Sequence, residues 1–285
     1  MKRLVKINHK TLSVSEISGE LPDEITGIAY SPVEQKVVFF QVSDGEIGFI
    51  LEDGSANHIV RRLEVSDPTG FCCDEWGIAV FQPLPEMFWE FNHSFTGGVR
   101  LCGLHTHSVM GHTIHHEADA FSPLGMCRAS RKQILLAMPW LHKIGMFNNG
   151  VFSDFAGTGK KGFSSSPNPA ASRFDSPSGV CFDNASQTTF VADTDNAVVR
   201  ALQEKNGCSF VGMPGNLGDC DGTGTYARFS KPTAIRTHGG KVAVADANLV
   251  RIFPIKNLDV STVYKSTSII SDLAMYGDYV YVLEA

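Results

Sequence analysis

Two stretches of this chain, 171–202 and 226–253, carry the same order of residues, and this internal repeat limits the fold more than any other feature. In the first, Arg173-Phe174 precedes Pro177, the run Gly179 to Phe182, then Phe190-Val191-Ala192-Asp193, Asn196 and Val198-Val199-Arg200. In the second, Arg228-Phe229 precedes Pro232, Ala234-Ile235, Val244-Ala245-Asp246, Asn248 and Val250-Arg251. A repeat of this length is one supersecondary unit stacked on copies of itself, because a single unit cannot bury its apolar face alone. Units made of short β-rich runs separated by turns are the blades of a β-propeller.

Weaker copies occur elsewhere. Ile25 to Tyr30 precedes Val37 to Gln41, Asp67 to Cys72 precedes Gly77 to Gln82, and Phe121 to Met126 precedes Ile134 to Met138. At the end of the chain Ser271 to Met275 precedes Asp278 to Glu284, the front half of a sixth unit. The segment Lys2 to Ile7 alternates as Leu249 to Ile252 does and supplies the missing half. The expected fold is therefore all-β: a six-bladed β-propeller of four-stranded antiparallel blades, filling residues 1–285 as one domain. Blade six is shared between about residues 1–18 and 266–285, so the ring closes with strands from both termini and leaves no open sheet edge.

The 285 residues are 43% hydrophobic and 10% aromatic, with 27 Gly and 13 Pro, which suits many short strands joined by turns. The net charge of −6 gives no global basic field for nucleic acid or an anionic membrane. The basic N-terminus lacks the apolar run of a secretory signal, and no window reaches the roughly 18 apolar residues of a membrane span. The seven cysteines, with Cys72 and Cys73 adjacent, match neither a disulfide framework nor a zinc motif, and read as free thiols in a reducing compartment. The expectation is a soluble intracellular protein, most simply cytoplasmic; a part of a viral particle or larger assembly also agrees with these properties.

The run Asp221-Gly222-Thr223-Gly224-Thr225-Tyr226-Ala227-Arg228-Phe229-Ser230-Lys231-Pro232, followed by Val244-Ala245-Asp246, resembles the NHL repeat. So does Ser172 to Val180 followed by Val191-Ala192-Asp193-Thr194-Asp195-Asn196. The resemblance implies a six-bladed propeller, the number that the repeat gives without it. Gln41, Gln82 and Met138 stand where the family has aspartate, which implies lost turn chemistry in the first three units. Propellers related to this family include lactonases and amidating lyases with a metal ion in the channel, and some NHL propellers bind RNA on a basic face.

The repeat residues themselves read as structural. Phe174 and Phe229 are expected to pack between blades, Pro177 and Pro232 to lead into the innermost strand, and Asp193 and Asp246 to accept turn amides. Five of the ten histidines fall within 105–117, and His112, His115 and His116 are the candidate ligands for a divalent metal. No zincin or zinc-finger spacing accompanies them, and nothing in the sequence requires a cofactor. Asp219-Cys220-Asp221-Gly222 reads as a turn because the other ligands of a calcium loop are missing. Gly157 to Gly162 has no Gly-Lys-Ser/Thr ending and reads as an inter-blade loop.

With no complete catalytic motif, the expected function is a non-catalytic scaffold that presents its inter-blade loops to a protein partner. The segments 92–119, 155–171 and 212–224 would line the binding mouth. The alternatives are a metal-dependent hydrolase, lactonase or lyase, and an RNA-binding propeller using Lys160, Lys161, Arg228, Lys231 and Arg236.

Overall fold

The computed structural model describes residues 2–17, 21, 25–41, 46–50, 56–62, 70–74, 77–82, 87–91, 99–103, 124–149, 151–203 and 207–285. These residues form antiparallel sheets and short 3-10 turns, with no α-helix among them. Alternating and continuous apolar runs of five to seven residues, cut by turn residues, leave little else for the backbone to form.

The first sheet holds β3 (Ile25–Ser31), β4 (Lys36–Gln41), β5 (Glu46–Ile50) and β6 (Ala56–Arg62) in that order; its chain neighbours at the N-terminus are β1 (Arg3–Asn8) and β2 (Ser13–Glu16). The next sheets follow the same up-and-down pattern. They comprise β7 (Gly70–Asp74), β8 (Gly77–Gln82), β9 (Met87–Phe91) and β10 (Val99–Gly103), then β11 (Gly125–Ser130), β12 (Gln133–Met138), β13 (Lys143–Asn148) and β14 (Val151–Ala156). A fourth contains β15 (Pro177–Asp183), β16 (Thr188–Asp193), β17 (Val198–Gln203) and β18 (Gly207–Val211). The fifth adds a two-residue strand, β19 (Gly222–Thr223), outside β20 (Pro232–His238), β21 (Lys241–Asp246), β22 (Leu249–Pro254) and β23 (Asp259–Lys265).

The last sheet joins the two ends of the chain in the order β2, β1, β25 (Tyr279–Glu284), β24 (Ile270–Tyr276). Its central seam pairs Arg3 with Glu284, Val5 with Val282 and Asn8 with Tyr279. The strand that opens each sheet lies against its counterparts on both sides: β3 against β7, β7 against β11, β11 against β15, β15 against β20, β20 against β24, and β24 against β3.

The core described is a series of apolar layers, which lie between five of the pairs of neighbouring sheets. Between the sheets opened by β15 and β20 lie Phe190, Ala192, Val199, Phe229, Ile235 and Val244. Leu4, Ile28, Phe39, Ala274 and Leu283 fill the junction of the terminal sheet with the first. A strand in the middle of such a stack is covered on both sides, and β16 is buried at all six positions. That explains why these strands read as continuous apolar runs rather than alternating ones. The opening strands approach one another very closely: a Cβ on Gly125 would lie 2.6 Å from the carbonyl oxygen of Ser178.

Each opening strand has two distinct ends. Inter-sheet loops such as 157–176 and 212–231 feed into its start, on what we term the loop face. It finishes in a tight turn, for example Asn184 to Gln187, on the opposite turn face.

Candidate functional site

On the loop face, the repeat residues build two equivalent clasps. Asp193, at the end of β16, accepts the amide of Asp175 (2.7 Å) and the side-chain amide of Asn196 (2.9 Å), and pairs with Arg200 (3.0 Å). Arg200 is fully buried and also donates to the carbonyls of Arg173 (3.1 Å) and Ser164 (2.6 Å), so it ties strand β17 to the incoming loop. Its guanidinium lies 4.6 Å from the Phe163 ring and 5.0 Å from that of Phe174. In the next sheet, Asp246 accepts the amides of Ser230 (2.9 Å) and Lys231 (2.6 Å) and pairs with Arg251 (3.3 Å). Arg251 reaches the carbonyls of Arg228 and Cys220, both at 2.9 Å, and lies 5.2 Å from the Phe229 ring.

Burial pushes the carboxyls of both aspartates up, Asp193 to about 6, while the turn amides and the arginines pull the other way. Pro177 and Pro232 open β15 and β20 opposite Asp193 and Asp246, and Phe174 and Phe229 are fully buried between sheets. Asp221 bonds Arg251 (2.8 Å) and accepts from both the amide (3.0 Å) and the hydroxyl (2.8 Å) of Thr262, so its carboxylate ties the loop to β22 and β23.

The second clasp holds a loop that exposes large apolar side chains, and other turns at the same end expose more. Trp140 is 67% exposed on the turn between β12 and β13, and Tyr226 is 79% exposed on the loop before β20. Met213 and Leu217 protrude from that same loop, Leu124 precedes β11 and Ile269 precedes β24. All six lie at the loop face.

A second feature is a cavity of about 160 Å³ where the six opening strands meet. One layer of its wall takes a residue from each strand: Ala29, Cys72, Cys127, Cys181, Arg236 and Ala274. The residue that follows each of them, Tyr30, Cys73, Arg128, Phe182, Thr237 and Met275, lines the cavity too. It is smaller than the several hundred Å³ of a site for a drug-sized ligand. Its charges are paired, Arg128 with Asp74 (2.8 Å) and Arg236 with Asp272 (2.8 Å). Burial, with Asp74 adding to it, pushes the Cys72 thiol up to about 12, and burial likewise raises Cys73, Cys127 and Cys181, so these groups stay protonated at neutral pH.

The three sheets that supply Cys72, Cys127 and Cys181 put them at one position of the repeat, a coincidence that spacing alone records. The cavity also lies toward the ends where the opening strands finish, away from the loops in which the sequence placed a binding mouth. His112, His115 and His116 lie outside the described residues, as does most of the 92–119 segment. Among the described residues, no three His, Cys, Asp or Glu side chains are placed to hold a metal ion.

No protein-family model matches the chain, and no curated protein matches its sequence. Solved structures do match its shape. A protein of unknown function from Bacteroides thetaiotaomicron superposes with a TM-score of 0.68 at 14% identity, over 100% of this chain and 77% of that one. A chain of the nidogen/laminin complex gives 0.61 at 14% identity, over 91% and 93%. A gluconolactonase from Xanthomonas campestris gives 0.59 at 12% identity, over 92% and 87%. At such identities the likeness defines the fold alone: the chain is a β-propeller. No described helix is long and apolar enough to cross a membrane.

Proposed function

We propose that this propeller is a non-catalytic scaffold that binds a protein partner through the inter-blade loops of its loop face. The observation that carries the reading is the exposure there of the aromatic rings of Trp140 and Tyr226, beside Leu124, Met213, Leu217 and Ile269, whereas the turn face exposes the smaller set Leu12, Val14, Val33, Val151 and Tyr279. Exposed aromatic side chains are the usual anchors of protein interfaces. In this reading the six sheets are NHL-type blades of one ring, closed in the sheet that pairs β1 with β25. The protein works in a reducing intracellular compartment, where the six described cysteines stay free.

The test is site-specific photo-crosslinking in cells, with a photoreactive residue in place of Trp140 or Tyr226 and, as controls, of Val33 or Val151 on the turn face. Discrete adducts from the loop-face positions alone support the scaffold. Adducts from the turn face alone sink it.

A second reading has one specific support. The gluconolactonase likeness and the histidine-rich segment fit a metal-dependent hydrolase with His112, His115 and His116 as ligands. Elemental mass spectrometry of the purified protein and of its triple alanine variant separates the two: stoichiometric metal lost in the variant favours the hydrolase.

A further inference from the structure

The sheets opened by β15 and β20 hold the same backbone turn in two different ways. Before β20, Asp246 accepts both amides of the turn, those of Ser230 (2.9 Å) and Lys231 (2.6 Å). Before β15, Asp193 accepts the amide of Asp175 (2.7 Å), and that of Ser176 crosses to the neighbouring sheet, where Nδ1 of His142 accepts it (3.1 Å). The sequence explains the difference. His142 caps the 3-10 turn Pro139–Leu141 in a left-handed conformation, a place that Ala197 fills in the next sheet. Their carbonyls face equivalent glycines, Gly157 and Gly212. An alanine offers no side-chain acceptor, so at the later junction the second amide falls to the aspartate. Ser176 also has a φ of 50°, which few residues other than glycine adopt, whereas Lys231 lies outside that region.

An imidazole nitrogen accepts only while it carries no proton, so this bond requires neutral His142 with its proton on Nε2. Beside it, Oδ1 of Asp175 lies 3.7 Å from Nδ1 and receives the hydroxyl of Ser176 (3.4 Å), while Lys161 lies 3.5 Å from Oδ2. Around the same turn stand Lys143, paired with Asp154 (2.6 Å), and Asp193, paired with Arg200 (3.0 Å). Asp195 is there too, its amide donating to the carbonyl of Asp175 (3.1 Å).

We infer that His142 is a proton-operated switch between the third and fourth sheets. Neutral, it holds the amide of Ser176 and with it the end of the 157–176 loop. A proton taken from solvent onto Nδ1 removes that acceptor and makes a cation, whose new N–H turns to the Asp175 carboxylate. The link between the sheets then passes from a backbone amide to an ion pair. The Ser176 amide must turn to water, and its left-handed backbone loses one of the bonds that keep it there. The imidazole is partly exposed, so a proton reaches it without unfolding. Imidazole is also the side chain that ordinarily changes charge between about pH 5 and pH 8. Trp140 stands on the same turn, two residues before His142, so the switch acts at the loop face.

Isotopically labelled full-length protein, titrated by NMR from about pH 8 to about pH 5, tests the switch. At the alkaline end the nitrogen shifts of the His142 ring should show the proton on Nε2. On acidification the Ser176 amide should move with the same midpoint as that ring. The amide of Asp175 reports Asp193 separately, whose carboxyl burial pushes up to about 6. His142→Asn keeps a side-chain acceptor but does not titrate, so the step at the imidazole midpoint should vanish from Ser176 while the melting temperature stays unchanged. Asp175→Asn removes the charge that receives the imidazolium, so the ring should titrate at lower pH. A proton on Nδ1 at the alkaline end, a Ser176 step that survives in His142→Asn, or a ring midpoint unmoved by Asp175→Asn overturns the inference.

Discussion

At the scale of single residues, the buried Asp–Arg pairs decide how the loops are held. Arg200 and Asp193 are both fully buried, so neither charge has water as a substitute partner. Removing one side of such a pair costs about 3–5 kcal/mol, whereas replacing both with apolar groups is often close to neutral. Arg200→Met should therefore destabilise the protein by about 3–5 kcal/mol, and Asp193→Leu with Arg200→Met by clearly less than the sum of the two single changes. Urea denaturation of the wild type, both single variants and the double variant gives the coupling directly. Additive costs would mean that the pair does not act as a unit. In the sequence, the aspartates and the arginines were both visible as repeat residues, but their pairing was not. Arg200 follows a 3-10 turn at Thr194–Asn196, while Arg251 follows a two-residue turn at Ala247-Asn248, so the spacing from aspartate to arginine differs between the copies.

At the scale of strands and sheets, more could be read. The apolar runs ending at Gln41, Gln82, Met138, Asp193, Asp246 and Glu284 are β4, β8, β12, β16, β21 and β25, each an inner strand of its sheet. They were legible because burial on both faces leaves them continuously apolar. The wall of the cavity was not, because four of the opening strands are irregular near their starts. The pairing shifts between Ile25 and Gly27, between Pro177 and Gly179, between Pro232 and Ile235, and between Ile270 and Asp272. A bulge there breaks the period of two that would have told which residues face inward. The terminal sheet supplies the prediction for this scale. β1 covers the edge of β25 and buries Leu4, Val5 and Ile7, so deleting residues 1–7 exposes both an apolar layer and a strand edge. The truncated protein should melt well below the full chain and self-associate, as read by calorimetry and light scattering. An unchanged, monomeric melting transition would rule out closure through β1.

At the scale of the whole molecule, the cavity is where strands of the described sheets meet, and its thiols report whether these sheets open as one body. Cys72 and Cys181 are buried and belong to different sheets, while Cys220 is exposed on a loop. In native conditions an alkylating reagent should modify Cys220 quickly and the other two only when the protein opens. If the apolar layers between sheets make them one cooperative unit, Cys72 and Cys181 will label at the same rate, with the same dependence on urea as global unfolding. Mass spectrometry of quenched samples reads both sites in one experiment, and faster labelling of Cys72 would instead mean that its sheet opens by itself. The same groups set the alkaline limit of stability. Burial raises the folded-state pKa of Cys72 to about 12, above the ordinary thiol value, so its contribution is complete below about pH 9 and is lost as pH rises through the folded value. Stability should fall from about pH 9 upward, and replacing Cys72 and Cys181 with alanine should flatten that decline even if it lowers stability at neutral pH.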